Sequence, residues 1–339
     1  MTKYRYTLKK FIKDWMLIIG MAAGAGIYLL YHAIDALHPA GHVLLDICET
    51  IQPCFLFAML FLSFCRIDPR DMRPRLWQLW LLLVQGGLFI GISLLLMWAS
   101  GSQSAAARWI CGNRLTVEAA MLCLICPTAT ACAVVTGKLG GNMAGAVTYT
   151  VFINLLVALL VPSFVPLIYP QGGMSFVSAF WKILAKVFPL LIMPCVTAWL
   201  IRWLLPGVHA FLLKYTHVSF YIWAVSLTLA ILMSTRALVH CEDGMRIISG
   251  IAAASLLACI FQFMTGKAIG SKYGSRITAG QSLGQKNTVF AIWMGYTFLD
   301  PVVSIAGGFY SIWHNVFNTW QLYRKRKSLE KLQETAVEN

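Results

Sequence analysis

The chain has 339 residues, of which 59% are hydrophobic and 12% charged, and its formal net charge is +14. Soluble domains carry about a quarter charged residues, so this composition excludes an ordinary soluble domain. It also removes nucleic acid as the reason for the positive charge, because the cations gather in connectors between apolar runs, where they act as topology signals.

Apolar runs of about 18 residues or more recur from Phe11 to Tyr323, each long enough to cross a bilayer. The alternating strands of a barrel are absent, so helices must satisfy the backbone in lipid. The sequence therefore predicts an all-α polytopic membrane protein. The opening stretch MTKYRYTLKKFIKDW runs into an apolar segment without a clean small-residue cleavage site, which reads as a retained first helix. Ten spans are expected, at 11–31, 42–65, 77–99, 116–138, 143–168, 178–204, 217–238, 246–269, 274–297 and 301–322. A charged cytoplasmic tail, 324–339, follows as a frayed helix.

With the N-terminus inside, most Lys and Arg fall on the same side: Lys3, Arg5, Lys9, Lys10 and Lys13 at the start, Arg66 to Arg75, Lys138, Arg202, Lys214, Lys267 to Arg276, and Arg324 to Lys331. Both termini are then cytoplasmic, as in a multi-pass protein of the cell (inner) membrane.

The ten cysteines mostly lie in apolar segments and read as small packing groups. Cys123 and Cys126 form a C-x-x-C on a helix, without the βαβ context of a redox motif. No spacing suggests a metal site or a cofactor. His240, Cys241 and Asp243 share one loop but make no triad, so an enzyme is not expected. The YPQGG turn carries no phosphate-binding signature.

Two spans stand out. The fourth contains ICPTATACAVV, with Pro127 followed by small and hydroxyl residues. The ninth contains TAGQSLGQKNTVF, with Gly280 and Gly284 followed by polar residues. They lie five spans apart, and an odd repeat unit must insert the second time upside down. The expected fold is two inverted five-helix repeats, about 11–168 and 178–322, in one transporter domain. Paired discontinuous helices at corresponding places mark a transport site, since their freed N–H and C=O groups bind ions.

Three stretches resemble the bile acid:sodium symporter family: PCFLFAMLFLSFCRIDPRDMR, CPTATACAVVTGKLGGNMAGAVTYTVFINLLVALLVP, and SLGQKNTVFAIWMGYTF with GGFYSIWHNVFNT. The resemblance implies that helices four and nine cross at their breaks within a core domain, with helices three to five and eight to ten. Helices one, two, six and seven would form a panel. Substrate, an organic anion such as a bile acid or small carboxylate, would bind between the two, and rocking would alternate its access.

Departures from the family pattern are as informative. The family's sodium-binding Glu falls on Ser282, and its Ser-Asn pair on Cys132 and Ala133. A fifth-helix Ser falls on Ala146, while Thr150 and the third-helix Gln85 are kept. The ninth-helix Gln falls on Lys286. Lys286 lies about 11 residues from either end of its span, roughly 16 Å, too deep to snorkel, and an intramembrane cation is a functional candidate. The expectation is a sodium-independent transporter in which the Lys286 ammonium replaces the sodium ion. It would donate to carbonyls of residues 280–284 and to Gln85. Taking an ammonium out of water favours its neutral form, so proton coupling is a further expectation.

The candidate binding residues are Gln85, Thr128, Thr130, Cys132, Thr150, Asn154, Ser282, Gln285, Lys286 and Asn287. Each has a plainer reading. The threonines, with Thr136, can bond their own helix carbonyls, and Thr150 and Asn154 can join helices. His314 and Asn315 read as core hydrogen-bonding groups, Asp46 and Glu49 as solvated caps, and Asp300 before Pro301 as an N-cap. Two alternatives remain: an arsenite-type efflux permease using Cys126 or Cys132, and a ligand sensor that does not transport. Oligomeric state is not specified.

Overall fold

The computed structural model describes residues 8–34, 41–170, 174–242 and 244–338. Lys3, Arg5, Asp243 and the Gly172–Gly173 turn lie outside the described residues, and the side chains of Lys9, Lys10, Lys13, Glu49 and Lys331 lie outside the described side chains.

The protein is all-α, with no named strand among the described residues. The helices run α1 (Leu8–Ala33), α2 (Gly41–Cys65), α3 (Leu76–Gly101), α4 (Ala105–Gly112), α5 (Arg114–Ile125), α6 (Cys132–Lys138), α7 (Met143–Ile168) and α8 (Phe176–Leu191). They continue as α9 (Met193–Leu204), α10 (Pro206–Lys214), α11 (Val218–Val239), α12 (Gly244–Ser271), α13 (Arg276–Gly284), α14 (Thr288–Phe298) and α15 (Ile305–Glu338). Helices α3, α7, α12 and the Tyr221–Val239 part of α11 are each long and apolar enough to cross a membrane, and α8 with α9 makes a fifth, bent pair. The molecule is a multi-pass membrane protein.

Local chemistry sets the boundaries. Ser104, Asn142 and Ser175 cap α4, α7 and α8 with side-chain oxygens on the N–H groups of Ala107, Gly145 and Ser178. Asp300 caps a 3-10 turn at Pro301–Ser304, accepting from Val302 N at 2.8 Å, as its place before a proline predicts.

Two sequence expectations change, the single helix over 178–204 and the cap at Asp46. The segment 178–204 is two helices bent by 45°. Pro194 opens α9 and has no N–H to continue the ladder of α8. The tail is helical as expected, continuing α15 to Glu338. Two short helices, α4 and α10, lie in connectors between the expected spans. Asp46 is exposed but sits inside α2, which begins at Gly41, so it is no cap.

The main core is one cluster drawing on α2 to α5, α7 to α9 and α11 to α15, with Trp77, Phe89, Tyr149, Phe263, Phe290 and Tyr310 among its buried side chains. Helices α12 and α13 pack with backbones almost touching. A Cβ on Gly266 would stand 2.6 Å from Ala279 O, and one on Gly284 would overlap the Phe263 ring. Gly266 and Gly270, like Gly280 and Gly284, are spaced four apart, the small-residue pattern that lets membrane helices approach closely.

Candidate functional site

The site is built where two helices stop. Helix α5 ends at Ile125, and Cys126 turns extended (φ −48°, ψ 133°), as the residue before a proline must. Helix α13 ends at Gly284, and Gln285 is extended likewise (φ −93°, ψ 100°). The two extended pieces lie side by side and antiparallel, with Thr128 opposite Lys286. Ala129 N donates to Gln285 O at 2.8 Å, and Asn287 N donates to Pro127 O at 2.8 Å. Backbone groups freed by each break are thus satisfied by the other, which apolar surroundings require.

Side chains satisfy the remaining carbonyls. Gln85 Nε2 donates to Ile125 O at 2.9 Å and Cys126 O at 3.0 Å, while its Oε1 accepts from Tyr149 at 2.9 Å. Thr128 Oγ1 donates to Ser282 O at 2.7 Å, and Cys126 Sγ to Asn287 O at 2.9 Å. Tyr310 donates to Gly284 O at 2.8 Å and is itself held by Gln262 Nε2 at 3.0 Å.

Lys286 sits at the centre, 1% exposed, and its Nζ has no hydrogen-bond partner among the described residues. This corrects one expectation. Gln85 and the carbonyls of Ser282 and Gly284 are bonded elsewhere, so the ammonium is not tied down by them. Both ends of the Gln281 amide, Ser282 Oγ, Gln285 Oε1 and Asn287 Nδ2 are also buried without partners among the described residues. A buried polar group left unpaired costs about 1–3 kcal/mol, and native structures hold few of them. Here five consecutive or near-consecutive residues carry them.

Four thiols, Cys123, Cys126, Cys132 and Cys259, are the electrostatic neighbours of Lys286. Glu118 is the buried acidic side chain among the described residues. It lies about two turns up α5, some ~12 Å along the axis from Cys126. There it is already paired, accepting from Arg114 Nε at 2.7 Å and from the Tyr169 hydroxyl. Tyr169 stands just past α7. Burial pushes its phenol up, and the Glu118 carboxylate pushes it further, so it stays a donor at neutral pH. Among the described residues, the breaks therefore hold a buried lysine amine with no buried carboxylate facing it.

Beside the crossing, a cavity of about 240 Å³ opens between the end of α2 with its following turn and helices α6 and α7. Thr130 and Thr150 line it, with Ser63, Arg66 and Asp71. The α2 turn is clasped by Arg202, whose guanidinium meets Asp68 at 2.5 Å and Ile67 O at 3.2 Å. At the opposite end, Arg236 of α11 donates to the Tyr296 hydroxyl of α14 beside a cavity of about 330 Å³ lined also by His240 and Asp300, and about 10 Å³ of free space lies between Gln52, Met233, Trp293 and Tyr296.

The structure thus brings Gln85, Thr128, Ser282, Gln285, Lys286 and Asn287 together. Cys132 is buried at the start of α6 beside Thr136, at 3.8 Å. Thr130 and Thr150 form a separate cavity wall, Thr150 also bonding Ala146 O at 3.0 Å. Asn154 lies apart, its Nδ2 donating to Leu191 O at the α8–α9 bend. Asn287 doubles as the N-cap of α14, accepting from Phe290 N. His314 Nδ1 is buried without a partner among the described residues, contrary to its reading as a core hydrogen-bonding group, whereas Asn315 bonds Ser311 O in its own helix. Sequence reasoning missed Glu118, Tyr149, Gln262, Gln281 and Tyr310. Glu118 and Gln262, lone polar residues in apolar runs, carried a usable signal.

Comparison with protein-family models and with curated proteins gives no match.

Proposed function

We propose that this protein is a secondary transporter of a small organic anion, working by alternating access without sodium, with the Lys286 ammonium serving as its built-in cation. The observation that carries this reading is the pairing of two helix breaks with an unpartnered, buried Lys286 between them. A small anion carrying a hydroxyl or amide group suits such a place, because among the described residues the buried donors Lys286 Nζ, Asn287 Nδ2 and Gln281 Nε2 lack an acceptor and Gln281 Oε1 and Gln285 Oε1 lack a donor. The 240 Å³ cavity reaches Thr130, two residues from the pairing, and fits a small carboxylate body.

The reading includes the ten-span inverted repeat that the resemblance to bile acid:sodium symporters implies. The breaks between α5 and α6 and between α13 and α14 lie five expected spans apart. Helix α1 packs on α11, and α2 on α9 and α11, while α12 packs on α13, α5 and α15; α7 on α8 and α11 on α14 and α15 join the two groups. A panel of the first group would move against a core of the second across those contacts. Both termini are then cytoplasmic, in the inner membrane. The metalloid reading has weaker support, since the Cys126 thiol is committed to Asn287 O.

Flux of radiolabelled carboxylates and bile acids into proteoliposomes tests this, with choline replacing sodium at fixed pH. Uptake that persists without sodium and is lost in Lys286→Gln is the expected result. Uptake that collapses without sodium overturns the ammonium's role.

A further inference from the structure

Away from the crossing, α1 and α15 leave a groove of about 710 Å³ on the outer surface of the bundle. Ile18, Met21, Val316, Trp320 and Tyr323 wall it. From Ile312 to Tyr323 it covers roughly 16 Å of helix, about half of a hydrocarbon core of roughly 30 Å. The groove is therefore one leaflet deep.

Its end is chemically marked. Trp320 and Tyr323 are about half exposed, as aromatic residues at a headgroup level are. The run Arg324, Lys325, Arg326, Lys327 follows at once. The Arg324 guanidinium lies over the Trp320 ring at 5.3 Å, and that of Arg326 over Tyr323 at 5.8 Å. Both cations thus sit on the rings that line the groove. Lys325 Nζ approaches the α6–α7 turn at Gly140, which places this end with Lys138 and the other basic connectors.

We propose that the groove binds an anionic diacyl phospholipid of that leaflet, one acyl chain lying between α1 and α15 and the phosphate meeting Arg324 and Arg326. Basic clusters directly following a span favour anionic headgroups. A second copy of the chain fits less well, because a two-fold contact there would set like charges against each other. The proposal does not depend on the transport reading.

Native mass spectrometry of the full-length protein titrated with phosphatidylglycerol or phosphatidylcholine tests it. Phosphatidylglycerol should be retained at least tenfold more tightly. Arg324→Ala with Arg326→Ala should weaken it by roughly 25-fold, about fivefold per cation, and leave phosphatidylcholine unaffected. Val316→Trp, which fills the groove from an exposed position, should release both lipids while the melting temperature holds. Equal retention of the two lipids, an unaffected double variant, or a lipid-free dimer closed over the groove would each overturn the proposal.

Discussion

Lys286 is 1% exposed and its Nζ unpartnered among the described residues, so its presence lowers stability. Replacing it with Met, of similar length and no charge, should raise the melting temperature, by about 1–3 kcal/mol of stability, while abolishing anion uptake. A lower melting temperature would show that the ammonium is structurally paired. Tyr310 has the opposite role. Tyr310→Phe leaves Gly284 O buried without its donor, and thermal unfolding should report a loss of about 1–3 kcal/mol. The contrast explains which residues were legible in advance. A lone cation in mid-span is conspicuous in any apolar sequence. A tyrosine that caps a carbonyl 26 positions away is not, because nothing local distinguishes it from one that packs.

Among elements, α12 and α13 carry the tightest constraint. Gly284 both ends α13 and faces the Phe263 ring. Gly284→Ala should cost about 1–3 kcal/mol through overpacking, and Phe263→Leu should restore part of it. Full additivity of the two changes in a double-mutant cycle would refute that contact. Proline and glycine made both breaks readable from the sequence, since Pro127 lacks an N–H and Gly284 is a poor residue for a helix interior. That the breaks pair with each other, Ala129 to Gln285 and Asn287 to Pro127, depends on strands more than 150 positions apart.

For the whole molecule, the Arg236–Tyr296 contact joins α11 to α14 beside a cavity of about 330 Å³, at the end away from the cavity at Arg66 and Asp71. If the contact holds α11 against α14, Arg236→Ala should raise amide deuterium uptake across 294–300 and lower it across 63–71, as the cavity at Arg66 and Asp71 closes. Unchanged uptake in both segments would show that the contact does not hold them together. The bend between α8 and α9 was less visible, because Pro189 and Pro194 fall within an uninterrupted apolar run.

Composition and charge placement alone determined that the chain lies in a membrane as helices, and helix breakers determined where two of them fail. These are local properties: transfer of apolar residues from water, and the missing N–H of proline. Which freed backbone groups meet, which side chains cap them, and that Lys286 is left over were decided by the tertiary structure. The physical reason is that hydrogen-bond satisfaction in a low-dielectric interior is settled by neighbours in space, and those neighbours come from α3, α7, α12 and α15.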